Sequence, residues 1–142
     1  MEIRRAKQLA GEEKIDVCLQ QLLHEGFIDS YRRVDSKDSI DREIDAWGID
    51  FYIYKGNKKK YPVVVLQAKS SKRGMEKFVK HSRQKGWENR RHIPVVYARQ
   101  NDSLYRIEKI LRKRIRGFRV SLAFIVPVRL VNIIYQRLRV GE

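Results

Sequence analysis

A mixed α/β fold, with a central sheet of four or five strands flanked by helices, is what this sequence predicts, and three observations carry that expectation. The chain has 142 residues, the size of one ordinary domain, with 42% hydrophobic and 35% charged side chains and only 8 Gly and 3 Pro. Such a chain can bury a core and is neither a disordered tail nor a fibrous repeat. Two segments, YPVVVLQAKS and HIPVVYAR, carry the continuous apolar runs of strands covered on both faces. The elements also fall in the order helix, three strands, helix, strand, helix, and consecutive strands followed by a helical crossover build a sheet of mixed direction.

Each element has its own local reason. Over about residues 3–25, Ile15, Cys18, Leu19, Leu22 and Leu23 recur at helical spacing, and Gly26 stands where a helix commonly stops. Phe27 and Ile28 lead into a short strand reaching Val34, and residues 35–45 read as a polar, acidic connection. Residues 49–54 alternate Ile, Phe, Ile with Asp, Tyr, Tyr, and Gly56-Asn57 supplies the turn into residues 61–70. Residues 73–86 read as a helix and 92–99 as another buried strand. Ser103 is an N-cap for a helix to about residue 116, with Leu104, Ile107, Ile110, Leu111 and Ile115 toward the core. Beyond Phe118 the pattern accommodates a strand over 120–126 and a helix or strand over 130–140. No repeat or linker divides the chain, so a single domain over 1–142 is expected, with its core at about 10–100 and a basic extension over 101–142.

Charge narrows the partner. Lys and Arg number 32 against 17 Asp and Glu, a net of +15. Residues 1–70 hold 13 basic and 12 acidic side chains, whereas residues 71–142 hold 19 and 5. An excess confined to one half implies a polyanion, with nucleic acid first. An anionic membrane fits less well, because no helix pairs a basic face with a clean aromatic and Leu face. The charged N-terminal stretch MEIRRAKQLAGEEK is no signal peptide, and the uncharged run from Val120 to Val128 is far shorter than the roughly 20 residues of a membrane span. A cytoplasmic protein is expected.

Several chemistries drop out. A single cysteine, Cys18, excludes an intrachain disulfide and a Cys-based zinc site, and its place on the apolar stripe makes it a core residue. His24, His81 and His92 lack the spacing of a helical zinc site, no glycine-rich phosphate loop is present, and Ser70-Ser71 has no histidine base nearby in sequence. What remains surrounds the two central strands. If they pair through the Gly56-Asn57 turn, Asp50 at the start of one comes close to Gln67 and Lys69 near the end of the other, and period-two geometry puts Gln67 and Lys69 on one face. An acid, an amide oxygen and an ammonium group then converge at one end of a buried sheet, a costly cluster to place without a task. The bland alternative is that Lys69 marks the solvent end of a strand and Asp50 is a turn acid.

These residues resemble a known family. GIDFYI, followed 17 residues after its Asp by QAK on a Val-rich strand and preceded by a Glu-bearing helix, is similar to the PD-(D/E)XK nuclease superfamily over roughly residues 10–100. The stretch DAWGIDFYI…VVVLQAKSS is closest to the restriction-endonuclease-like Gln-X-Lys variants of the Mrr-like group. Holliday-junction resolvases share the layout, including Gly26-Phe27, but keep a glutamate where Gln67 stands. The resemblance implies a divalent-metal-dependent endonuclease that hydrolyses phosphodiester bonds in DNA, with Mg²⁺ or Mn²⁺ as cofactor. Asp50 is then the main metal ligand, Lys69 the catalytic lysine, and Gln67 a neutral ligand aided by the Ala68 carbonyl. A second carboxylate comes from the first helix. Glu12 continues the stripe of Ile15, Leu19 and Leu22 and is preferred to Glu13, while Asp45 is an auxiliary acid or a loop cap. Lys72, Arg73, Arg90, Arg91, Arg112, Lys113 and Arg116 are the expected backbone-binding cations, and Trp47 and Trp87 are packing residues with base stacking as the alternative. The expected partner is DNA, duplex or branched, with RNA and a second copy of the chain as further candidates. A degenerate, non-catalytic nucleic-acid-binding module is the rival reading.

Overall fold

Helix α1 (Glu2–His24) opens the chain and buries Ile15, Cys18, Leu19 and Leu22 along one stripe. Its end is closed by the Phe27 N–H on the Leu22 carbonyl (2.9 Å) and the Gly26 N–H on that of Leu23 (3.1 Å). The computed structural model describes residues 2–70 and 92–139. The helix expected over 73–86 and the residues Lys72, Arg73, His81, Trp87, Arg90 and Arg91 lie outside the described residues.

Four strands form one sheet in the order β1-β2-β3-β4: β1 (Ser30–Arg33), β2 (Phe51–Tyr54), β3 (Val63–Lys69) and β4 (Val95–Tyr97). The first three are antiparallel neighbours and β4 joins β3 in parallel, which is the mixed sheet expected. Phe51 pairs with Leu66 and Gln67 with Val95. Successive residues of β1 point to opposite faces and identify the layers. Tyr31 donates through its hydroxyl to Asp16 of α1 (2.6 Å), whereas Ser30 donates to the Leu138 carbonyl on the other side. Helices α1 and α3 (Leu104–Gly117) pack together against β1, β3 and β4, and α4 (Leu122–Ile125) and α5 (Val128–Arg139) cover β1, β2 and β3.

The structure departs from expectation in five places, the first being Leu23, expected on the apolar stripe of α1 and exposed instead. Residues 35–45 are not a plain connection, because Ser39–Ala46 is a helix, α2. The Asp38 carboxylate caps it by accepting from the N–H groups of Ile40 (2.9 Å) and Asp41 (3.0 Å), and Ile44 anchors it in the core. Strand β2 is not half-polar: Tyr52 is fully buried because α5 covers that face and its hydroxyl reaches Asp41 at 3.3 Å. Residues 120–126 are not a strand. Leu122 and Ile125 bury at helical spacing in α4, and Leu130, Ile134 and Leu138 continue that pattern in α5. Ser103 does cap α3, yet Leu104 is exposed, and Ile107, Leu111 and Ile115 make the buried stripe. The helices of the 101–142 segment thus share one core with the sheet.

One charged knot sits inside this fold. Asp41 is fully buried and holds the guanidinium groups of Arg32 on β1 (3.2 Å) and Arg137 on α5 (2.6 Å) together with the Asp35 N–H (2.8 Å). Cations on two elements and a backbone donor satisfy the oxygens of this buried carboxyl group.

Candidate active site

Asp50 enters its place through a left-handed residue. Gly48, with φ of 86°, turns the chain out of α2, and its N–H donates to the Asp45 carbonyl (2.8 Å). Ile49 is then buried, and the backbone of Asp50 is pinned on both sides, its N–H to the Leu66 carbonyl and its carbonyl to the Val34 N–H, both at 2.9 Å. Extending the β2–β3 register by one step sets Gln67 opposite it. The Asp50 carboxylate reaches across to β3 and accepts the Ala68 N–H at 2.8 Å.

That carboxyl is pushed up from its ordinary range to about 7. Burial is the largest cause, the fields of Glu12 and Asp45 add to it, and the Ala68 N–H and Lys69 oppose it. Asp50, Glu12 and Asp45 share a cleft of about 360 Å³ with Arg33, Val34, Asp35 and Ser36. Glu12 and its neighbour differ sharply in setting. The Glu12 side chain is 17% exposed in the cleft, whereas that of Glu13 is 62% exposed. Arg33 sits between them, 3.6 Å from Glu12 and 2.7 Å from Glu13. Asp45 is exposed at the end of α2 on the cleft's rim.

Gln67 is 5% exposed. Its N–H donates to the Pro94 carbonyl (2.9 Å), but among the described residues nothing donates to its side-chain Oε1. A buried amide oxygen without a donor is costly, and a hard cation is a natural occupant of such a position. Ala68 is buried beside it, and Lys69 lies at the open end of β3, opposite Tyr97 and within electrostatic reach of Asp50. Among the described residues no group of three or more His, Cys, Asp and Glu side chains is arranged as a metal site. A set built from Asp50, the Gln67 amide and Glu12 is of a different composition and suits Mg²⁺ or Mn²⁺, which take oxygen ligands and few protein groups.

The chain matches no family model, no curated protein and no solved structure. Its site is therefore described by its own atoms.

Two contributors are invisible to motif spacing. Gly11 packs so tightly that a Cβ there would lie 2.1 Å from the Ala98 carbonyl oxygen, so α1 rests directly on the chain leaving β4 and sets Glu12, the next residue, over the cleft. A glycine inside a helix costs about 1 kcal/mol against alanine, and that cost is the only sequence signal it leaves. Arg33 is the other. It looks like one more strand cation until its two glutamate partners are seen.

The remaining expected residues lie elsewhere. Arg112 bonds Glu25 and Glu108 and lies 4.9 Å from the Phe27 ring centre, Arg116 lies 5.2 Å from the same ring, and Lys113 is exposed. Arg112 and Arg116 gather with Lys55 around that ring, at the end of β2 opposite Asp50, about 17 Å away at strand rise. Trp47 packs partly buried against the core, and His92 stands edge-on to Phe124 at 5.2 Å. Cys18 is buried, with its thiol pushed up to about 11, chiefly by burial. Among the described residues no helix is long and apolar enough to cross a membrane.

Proposed function

We propose that this chain is a divalent-metal-dependent nuclease that cleaves phosphodiester bonds in DNA, as a Gln-X-Lys relative of the PD-(D/E)XK superfamily. The observation that carries the reading is the Gln67 Oε1, buried and without a donor among the described residues, one strand away from the Asp50 carboxylate. Asp50, Gln67 and Glu12 would hold the cation, with the Ala68 carbonyl as an added oxygen. Bound there, Mg²⁺ or Mn²⁺ supplies Lewis acidity toward a phosphoryl oxygen and acidifies water near neutral pH.

The chain's own groups do the rest. The Ala68 N–H fixes the Asp50 carboxylate in one orientation, so no rotamer search precedes ligation. The Lys69 ammonium, at the mouth of β3, orients the attacking water and neutralises charge that develops on the phosphate during in-line displacement. Arg33 holds Glu12 at the cleft and spreads part of the negative charge of three neighbouring acids. The same ion pair favours a second reading: Glu12 already has a cation, and Gln67 adds no charge, which suits a nucleic-acid-binding module without turnover.

Incubation with plasmid, single-stranded, branched and RNA substrates in Mg²⁺, Mn²⁺ or EDTA decides between them. The expected result is metal-dependent DNA cleavage that is lost on chelation. Retained binding with no cleavage of any substrate selects the module, and cleavage confined to RNA replaces the substrate class.

A further inference from the structure

The β2–β3 turn is locked onto the end of α3. Lys58 donates from Nζ to the carbonyls of Arg116 (3.2 Å) and Phe118 (2.9 Å), two acceptors at the negative end of that helix. Lys55, 9% exposed, places its ammonium 4.0 Å from the Phe27 ring centre and donates to the Phe27 carbonyl. The guanidinium groups of Arg112 and Arg116 approach the same ring, so one phenyl group organises three cations. Lys59, next to Lys58, and Arg119, whose charge acts on Lys58, are exposed, as is Lys113, which follows Arg112 on α3.

Acids answer little of this charge. Glu25 and Glu108 pair with Arg112, and Asp29 acts on Lys55. The crowding has a measurable sign: Lys55 and Lys58 are both held below the usual lysine range, first by burial, then by the surrounding cations. A fold that fixes like charges together on a rigid surface gains from a polyanion that lies across them. Among the described residues, the large exposed apolar side chains are Val17, Leu23, Leu104, Tyr105, Phe124 and Val128; none falls in residues 55–62 or 112–119, and Leu23 alone stands within a turn of Phe27 in sequence. A lipid surface would want such anchors beside the cations, and a phosphate backbone needs none.

We propose that the β2–β3 turn and the last turn of α3 form a polynucleotide-binding surface separate from the cleft, gripping a second segment of phosphate backbone at the opposite end of the sheet. The inference shares its class of partner with the nuclease reading but does not depend on hydrolysis.

The test counts duplexes per chain. A labelled duplex of about 12 base pairs is titrated in EDTA at low salt, with stoichiometry read by sedimentation and affinity by anisotropy across salt. The comparison is the variant Lys59→Glu with Lys113→Glu and Arg119→Glu. Wild type is expected to hold two duplexes and the variant one, with the logarithmic salt slope of the summed binding smaller by up to about 2.7 for three lost phosphate contacts. Should the reversed charges disturb folding, seen by circular dichroism, the corresponding Gln substitutions answer the same question. A variant that binds as many duplexes as wild type, with an unchanged slope, overturns the proposal. A fall from one duplex to none keeps this surface and sinks the cleft as a DNA site. Vesicles containing phosphatidylserine are the counter-probe: capture lost in the variant while duplex number stays constant assigns the surface to membrane and refutes the inference.

Discussion

Replacing Asp50 by Asn should stabilise the metal-free protein by an amount that grows as pH rises from about 4 to 7 and is full above 7. The sign follows from where the proton sits. The unfolded carboxyl ionises near 3.8, the folded one near 7. Below about pH 3.8 both are neutral and the residue contributes no pH dependence. Between 3.8 and 7 the unfolded chain is ionised while the folded chain keeps its proton, so rising pH favours unfolding. Above 7 the full penalty stands. At ~1.4 kcal/mol per pH unit, a shift of about three units is worth ~4 kcal/mol, and because Asp50 is partly open to the cleft, water screens it and we take about half, ~2 kcal/mol. Asparagine keeps an oxygen for the Ala68 N–H and carries no charge. Urea unfolding in EDTA measures this directly. With a slope of about 2 kcal/mol/M, the Asn variant's midpoint should exceed wild type's by about 1 M at pH 8.5 and match it near pH 4. A variant less stable than wild type by the same amount at both pH values would refute the account of a strained, desolvated acid. If the nuclease reading holds, Mg²⁺ then raises the midpoint of wild type at pH 8.5 and leaves that of the variant unmoved.

Other perturbations test other parts of the molecule. Gly11→Ala drives a methyl group into the Ala98 carbonyl and should cost about 1–3 kcal/mol in urea unfolding, while a wild-type midpoint would show that α1 does not press on that segment. Arg137→Ala leaves buried Asp41 with one guanidinium and should cost about 2–3 kcal/mol in the same assay; a loss below about 0.5 kcal/mol would reduce the knot to surface decoration. If the nuclease reading holds, Lys69→Ala should abolish cleavage and leave DNA affinity within a few-fold, since most of the basic charge lies elsewhere, and Gln67→Glu should tighten Mg²⁺ binding measured by calorimetry or leave it equal. On the same reading, loss of cleavage in Gln67→Glu would mean that the site needs a neutral group. Cys18 should resist a thiol reagent at pH 8 in the native protein and react at once in urea, and rapid native labelling would contradict its burial.

The framework was legible where periodicity and turn chemistry act locally. Val63, Val64, Val65 and Leu66 are buried on both faces as their unbroken run implies, and the hairpin brings Asp50 beside Gln67 because the turn fixes the register. Helix α2 was illegible for a specific reason: its eight residues carry four charged side chains, and the one that organises it, Asp41, is buried by cations on two other elements, one of them 96 residues away. Strand and helix were equally compatible with residues 120–140, because a short apolar run has no decisive period until it is known which face is covered. At the candidate site, residue types and spacing pointed to Asp50, Gln67 and Lys69, but not to the role of Arg33 or the seat of Gly11, which are facts of packing between elements. The charge asymmetry of the chain said that a basic surface exists and not that Arg112 and Arg116 stand at the opposite end of the sheet from Asp50.

The knot around Asp41 also imposes an order in time. Arg137 is translated 96 residues after Asp41, so at about 5–20 residues per second the nascent chain carries that carboxylate for about 5–20 s before its closest guanidinium emerges. During that interval the face of the sheet later covered by α5 is bare, Tyr52 is wet, and Asp41 has Arg32 as its one guanidinium partner. A ribosome-bound chain stalled before α5 should therefore already hold the strands that pin Asp50, while α2, with Asp45 on the cleft's rim, is tied to the sheet through Arg32 and Ile44 alone.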